Sequence, residues 1–333
     1  MNINNFPVKI AGFGKCLPQT VITNFDLEKL VDTNDEWIST RSGIKERRII
    51  SGEETCSSLA AEAGKKALES ANINAEEIDL IICATSISDN LYPSMACEVQ
   101  KELDCVNAAA FDITAACTGL IYGLNIARSF IASGIYKKIL LTSADAHSRF
   151  LNWEDRGTCV LFGDGAGAMV VTKSDTEEND ILYLEMKADG TRGCELKIPL
   201  SGKNCPLVEP NTLKDSYVKM NGKEIYKFAI NTVPESIKQA VTESGLTIDE
   251  IDYFILHQAN IRIIESIANK LGINKEKFFV NLQKYGNTSA ASIAIAMAEA
   301  IEEGFIKTPS TLVLSGFGAG LTWGTAVIRL RLK

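Results

Sequence analysis

Histidine is almost missing from this chain, which carries two in 333 residues, His147 and His257. Cysteine occurs nine times (Cys16, Cys56, Cys83, Cys97, Cys105, Cys117, Cys159, Cys194 and Cys205), yet no two form a C-x-x-C pair. Nor does any have the Cys/His spacing of a zinc site, so no metal is expected. An odd count, lying largely in apolar contexts such as Ile81-Ile82-Cys83, reads as reduced thiols in a cytosolic protein. Positive charge is short as well. With 34 Lys and Arg against 42 Asp and Glu the net charge is −8, which argues against nucleic acid as the main partner. The longest uncharged apolar stretches, Ile113–Ala127 and Tyr285–Ala298, fall below the roughly 20 residues of a membrane span. The start, Met1-Asn2-Ile3-Asn4-Asn5, lacks the basic patch and apolar segment of a signal peptide. The chain thus reads as cytoplasmic, with no membrane and no nucleic acid among its partners.

What is abundant is core. Hydrophobic residues make up 46% of the chain, enough for two domains or one duplicated domain. One cysteine stands apart. Cys117, in Phe111-Asp-Ile-Thr-Ala-Ala-Cys-Thr-Gly-Leu120, lies where an extended run meets a helix almost free of charge. Leu120, Leu124, Ala127 and Ile131 set the helical period, Arg128 is the one charge before Ser133, and Gly134 suits a C-cap. A thiol at the first turn of a helix faces the positive end of its dipole, which favours thiolate and hence a nucleophile.

The chain repeats itself. Leu68–Thr85 and Val241–Gln258 align without a gap: a helix end, an acidic turn, the pair Ile-Asp, then an apolar strand. Gly134–Ser143 parallels Gly304–Ser315, and glycine-rich turns followed by strands, Phe162–Val171 and Phe317–Ile328, close each copy. Repeated helix–strand units with continuous apolar strands predict a layered α/β protein with its sheets buried by helices. The polar turn Lys173–Asp180 divides it into halves of residues 1–175 and 176–333, and the repeat places Cys117 close to Asn287.

His257 follows an apolar strand and precedes a helix with Ile261, Ile264, Ala268 and Leu271 on one face, so it sits where α/β sheets bind ligands. With Cys117 as partner it is the candidate base; His147, in a more polar stretch, reads as a satisfied structural histidine. Asn287 suits an N-cap, and its amide could equally donate to a developing negative charge. The glycine-rich segments lack a Walker lysine and a G-x-G-x-x-G between strand and helix, so they are turns. One of them, Gly318-Ala319-Gly320, can aim backbone N–H groups at an oxyanion. The basic run Arg41–Arg48 reads as a solvated loop or a docking site for a phosphorylated ligand or acidic partner.

Eight segments in order carry a resemblance: Val31–Ile38, Arg41–Arg47, Ala115–Gly119, Asp155–Gly157, Phe162–Gly167, His257–Arg262, Gly286–Ala290 and Phe317–Gly324. With them the sequence resembles the 3-oxoacyl-(acyl carrier protein) synthase III family over nearly its whole length. The resemblance implies a thiolase-like fold of two pseudo-duplicated α/β halves in an αβαβα arrangement, and a homodimer. It implies a triad of Cys117, His257 and Asn287, and an oxyanion hole from the backbone of Cys117 and Ala319. Thr33, Trp37, Arg41 and Arg156 match a coenzyme A site; Lys223, Lys227 and Arg262 match a surface for acyl carrier protein. Tyr92 matches an aromatic residue lining the partner subunit's acyl pocket. No cofactor is permanently bound. The implied reaction is the initiating condensation of type II fatty acid synthesis, from acyl-CoA (acetyl-CoA in the simplest case) and malonyl-acyl carrier protein, through an acyl-Cys117. Two positions depart from the pattern: Ala319 stands where some members have glycine, and Tyr226 where phenylalanine is common.

Relatives compete for this reading. Elongating ketosynthases use Cys-His-His, whereas Asn287 holds the third position here. Thiolases use a second catalytic cysteine near the C-terminus, and none follows Cys205. The chief alternative is a relative of secondary metabolism with another acceptor. A non-catalytic partner or a thiol redox sensor on the same fold belongs to a different class.

Overall fold

The computed structural model describes residues 7–200, 205–207 and 216–332; the stretch Met1–Asn5 lies outside them. Two sheets form the frame. In the first, Leu80–Ala84 runs parallel to both Ala109–Ile113 and the central strand Lys138–Asp145, with Leu80 opposite Ala109 and Ile139. Gly165–Lys173 and Val8–Cys16 then extend the sheet antiparallel. In the second, Tyr253–Leu256 runs parallel to Ser310–Gly318, and Thr322–Leu330 and Ile181–Ala188 follow antiparallel. The same parallel–antiparallel–antiparallel order appears twice, and the first sheet has one additional strand.

Four helices complete five layers. Gly119–Ser133 and Ser292–Glu302 lie between the sheets, while Cys56–Ala71 packs outside the first and Gly222–Glu243 outside the second. Parallel neighbours need such crossover helices, because a tight turn cannot join them. Each outer helix starts on a side-chain cap: Thr55 accepts from the Ser58 N–H, and Asn221 from the Glu224 N–H. The inner helix Gly119–Ser133 ends at Gly134 with φ of 75°, as the sequence predicts. Its Leu120, Leu124, Ala127 and Ile131 are buried in the central core with Ile139, Leu141, Ile293 and Leu314. The second inner helix is buried on nearly every side, and its small residues permit close approach. A Cβ on Gly167 would meet the Ala294 Cβ at 2.5 Å, so glycine is what lets the first sheet touch it.

The repeat sets Cys117 close to Asn287, as expected, but three residues out of register with it. Each inner helix is entered by a single 3-10 turn, Ala116–Thr118 or Ser289–Ala291. Each turn opens on a residue with positive φ, Ala116 at 46° and Ser289 at 50°. Matching these turns makes Ala290 the counterpart of Cys117 and sets Asn287 opposite Thr114. Strand-to-strand alignment of the sequence does not see the loop lengths that decide this.

Candidate functional site

The floor of the site is built where the two inner helices begin. Cys117 is 5% exposed, and its Sγ lies 3.4 Å from the Ser289 Oγ on the facing turn. The Ala290 N–H donates to Asp145, whose carboxylate also receives the N–H groups of Ser86 and Ile87. One carboxylate thus ties the loop beside the site to the other half's turn. On the opposite side, Thr118 donates to the Thr322 hydroxyl at 2.8 Å, and Thr322 Oγ1 lies within donating reach of the Ala115 and Ala319 carbonyls. The Cys117 main chain is pressed against the strand Ser310–Gly318: a Cβ on Gly318 would lie 2.8 Å from the Cys117 nitrogen.

Two influences on the thiol oppose one another. The helix start favours thiolate by at most about 2 kcal/mol, equal to roughly one and a half pH units. Burial is stronger: it pushes the thiol from 9.0 up to about 12, although the Ser289 hydroxyl pulls it down. The expected resting thiolate is therefore corrected to a thiol.

His257 follows Tyr253–Leu256, and its N–H donates to the Ser315 carbonyl, which continues the strand pairing. The ring is 2% exposed, meets Phe317 edge-on at 5.3 Å, and places Nδ1 2.7 Å from the Ser292 Oγ. Burial, with the neighbouring His147 adding to it, lowers its pKa from 6.5 to about 3, so the ring is neutral near pH 7. Ser292 Oγ accepts from the Gln258 N–H at 3.4 Å. Its own proton can then go to Nδ1, which leaves Nε2 as an N–H donor.

Asn287 is 7% exposed and fixed through its backbone, bonding to Leu161 and receiving the Gly163 N–H. Its Oδ1 accepts from the Ser289 N–H at 2.9 Å. Asn287 is not the N-cap, a place taken by Thr288; its oxygen instead bridges to the N–H two residues on, which leaves the amide nitrogen able to donate. Ser289 was not singled out by the sequence; its presence within Gly286–Ala290 was the only signal.

Above this floor lies a cavity of about 680 Å³. Cys117, Ser289, Ala319 and Thr322 contribute to its walls, together with Ile87, His147 and Phe162. Ala319 is absent from the positive-φ residues, so alanine is unstrained at that turn. His147 does not fit the expectation of a satisfied histidine: it is 7% exposed, it lines the cavity, and its buried Nδ1 has no partner among the described residues. Tyr92 is 86% exposed and is not a wall of this cavity; its neighbour Leu91 is.

Trp37, Arg41 and Arg156 come together at a crevice that also includes Ser42, Val160, Leu161 and Asn260. The guanidinium carbons of Arg41 and Arg156 lie 5.0 and 5.4 Å from the centre of the Trp37 ring. Arg156 is held by the Asp32 carbonyl at 2.8 Å. A flat ring stacked between Trp37 and Arg156 needs about 7 Å, two contacts of about 3.5 Å, so Arg156 must swing outward to admit one. The buried Thr33 hydroxyl has no hydrogen-bond partner among the described residues, and Thr33 is not among the residues lining the crevice. The basic run nearby divides. Arg47 is fully buried, bonding the Ile22 and Val160 carbonyls and Asn24 Oδ1, and burial lowers its pKa to about 10. It is an internal brace and neither a solvated nor a docking residue.

Lys223, Lys227 and Arg262 are exposed near the starts of Gly222–Glu243 and Ile261–Leu271. None of the three forms a salt bridge among the described residues. Tyr226 clasps these helices together through Ser266 at 2.9 Å, which accounts for its hydroxyl. Among the described residues no group of three or more His, Cys, Asp or Glu could hold a metal, and no helix is long and apolar enough to cross a membrane.

Comparison with known proteins agrees with this arrangement. Residues 111–190 match the family model described as 3-oxoacyl-[acyl-carrier-protein] synthase III, and residues 241–330 match its C-terminal counterpart. The beta-ketoacyl-[acyl-carrier-protein] synthase III of Clostridium acetobutylicum is 48% identical, covering 97% of this chain and 98% of its own. The crystal structure of 3-oxoacyl-[acyl-carrier-protein] synthase III from Aquifex aeolicus superposes with a TM-score of 0.89 at 49% identity, covering 97% of this chain and 99% of that one. A priming beta-ketosynthase of a polyketide biosynthetic pathway superposes at 0.91 with 31% identity, covering 98% of this chain and 97% of that one.

Proposed function

The chain belongs to the 3-oxoacyl-(acyl carrier protein) synthase III family and is a condensing acyltransferase with a thiolase-like fold, and from that premise we propose how its residues carry out the initiating condensation of fatty acid synthesis. The observation that supports the reading is that the buried Cys117 thiol touches Ser289 on the turn shaped by the Asn287 amide, while the neutral His257 ring bonds Ser292 at the start of the helix that follows that turn.

In the first stage Cys117 attacks the thioester carbon of an acyl-CoA, acetyl-CoA in the simplest case. The carbon–sulfur bond to CoA breaks, an acyl-Cys117 forms, and the thiol proton leaves on CoA. Trp37 and Arg156 clamp the adenine, with Thr33 and Arg41 beside the phosphates. In the second stage malonyl-acyl carrier protein enters, guided by Lys223, Lys227 and Arg262. His257 Nε2–H and the Asn287 amide donate to its thioester oxygen, stabilising the enolate left when CO2 departs. That carbon attacks acyl-Cys117, expelling the thiolate, which takes a proton from solvent. The tetrahedral oxyanion rests on backbone N–H groups of Cys117 and Ala319, each such donor being worth about 3 kcal/mol of barrier. Neutral imidazole suits this work because donation, not charge, is required.

We further read residues 1–175 and 176–333 as the two halves, and the molecule as a cytoplasmic homodimer. Exposed Leu91 and Tyr92 offer an apolar surface for a second subunit, consistent with Tyr92 reaching a partner's pocket. We read the enzyme as working without a metal and without a permanently bound cofactor, acyl-CoA being a substrate.

Intact-protein mass after mixing with acetyl-CoA tests the reading. A single acyl adduct, lost in Cys117→Ala and discharged by malonyl-acyl carrier protein, is expected. An adduct that ignores malonyl-acyl carrier protein would favour another acceptor. His257→Ala should still form the adduct while malonyl decarboxylation falls by about 100-fold or more. The opposite pattern would reverse the assigned roles.

A further inference from the structure

His147 follows the strand Lys138–Asp145 and enters a short turn, His147–Phe150, at the cavity beside Cys117. Its ring lies flat against Phe162, with centroids 4.8 Å apart and planes 6° from parallel. Neither ring nitrogen has a hydrogen bond among the described residues, and Nδ1 is sealed from solvent. The adjacent carboxylates do not claim it. Asp145 accepts from Thr85, Ser86, Ile87 and Ala290, and Asp164 from Ile50 and Ser148.

Most of the surrounding wall is apolar, including Ile87, Phe150, Ile198 and Val218. For a plain hydrocarbon chain a leucine here would fill the same space and leave no polar atom unpaired. Because Nδ1 is sealed, the nitrogen that can meet an occupant of the cavity is Nε2, and an imidazole nitrogen left unpaired against an apolar chain is costly unless that occupant supplies a polar atom. Burial holds its pKa below the ordinary value, although Asp145 and Asp164 pull upward, so the ring offers one N–H and one bare nitrogen. A hydroxyl or carbonyl oxygen complements such a group. A carboxylate does not, since it would meet a neutral ring backed by two acidic residues.

We propose that His147 is a specificity-determining residue that hydrogen-bonds an oxygen on the acyl chain, so that the enzyme takes hydroxy- or oxoacyl-CoA primers in preference to plain acyl-CoA of equal length. This rests on the reading that the cavity receives the acyl group bound to Cys117.

The test is the rate of Cys117 acylation, followed by intact mass, from three matched pairs: 3-hydroxybutyryl- and butyryl-CoA, 4-hydroxypentanoyl- and pentanoyl-CoA, and 5-hydroxyhexanoyl- and hexanoyl-CoA. For at least one pair the native enzyme should prefer the hydroxylated member by about tenfold. His147→Leu should bring that ratio to one or below, and His147→Gln should keep it above one. Each ratio is taken within one preparation, so a partly unfolded variant does not distort it, and the native comparison needs no variant. Equal or reversed preference for all three pairs in the native enzyme overturns the proposal, as does a preference that survives His147→Leu. Adducts without preference defeat this inference alone. No adduct from any thioester, acetyl-CoA included, defeats the underlying reading with it.

Discussion

At Cys117 two opposed influences meet, a helix start that favours thiolate and a burial that outweighs it. Its place before an uncharged helix was legible, because helical period and the Gly134 stop are local signals. Its protonation was not, because burial depends on the whole packed surround and here exceeds what the helix start supplies. Ser289 was invisible for the same reason: its hydroxyl reaches Cys117 only because two turns far apart in sequence face each other. Removing that hydroxyl takes away the largest influence holding the thiol down. Ser289→Ala should therefore raise the thiol pKa, and alkylation by iodoacetamide should slow by about fivefold at pH 8, in line with one lost hydrogen bond. Unchanged alkylation would show that the contact does not tune the sulfur.

At the scale of elements, the repeated unit was readable because both copies keep the same acidic turn before an apolar strand. The offset between Cys117 and Asn287 escaped, since the loops preceding the inner helices differ and carry no periodicity. The hairpin at Gly318–Ala319–Gly320 was placed correctly, but not its pressure on the nucleophile. Gly318→Ala puts a methyl against the Cys117 nitrogen, with backbone rather than a flexible side-chain tip in its way. We expect acyl loading to fall by about 100-fold, as misplacement by an ångström can cost, while the circular dichroism spectrum stays native. Loading within threefold of the native rate would mean that the turn relaxes freely.

For the whole molecule, two histidines buried as neutral rings set a pH dependence. Both pKa values lie below the unfolded value of 6.5, so folding is assisted above that pH and loses this contribution as pH falls. For His257, whose folded value is about 3, the loss at pH 5 is about 2 kcal/mol. The melting temperature should fall between pH 7 and 5, and less steeply in His257→Gln; equal slopes would contradict the assignment. Charge works at the same scale. On a chain of net −8, the exposed trio Lys223, Lys227 and Arg262 is a local exception. Paired Lys223→Glu and Lys227→Glu changes should raise KM for malonyl-acyl carrier protein about tenfold, and added salt should narrow the difference between variant and native enzyme. The acidic balance was evident from composition, but sequence did not reveal that Arg47 is withdrawn from the basic run into the core. The bonds from Thr118 to Thr322, and from Thr322 towards the Ala115 and Ala319 carbonyls, have a longer consequence. They couple the reacting centre to both sheets, so a substitution there disturbs chemistry and architecture at once. The walls at Ile87, His147 and Val218 stand apart from that linkage, so they can be reshaped without loosening the seam that joins the two halves.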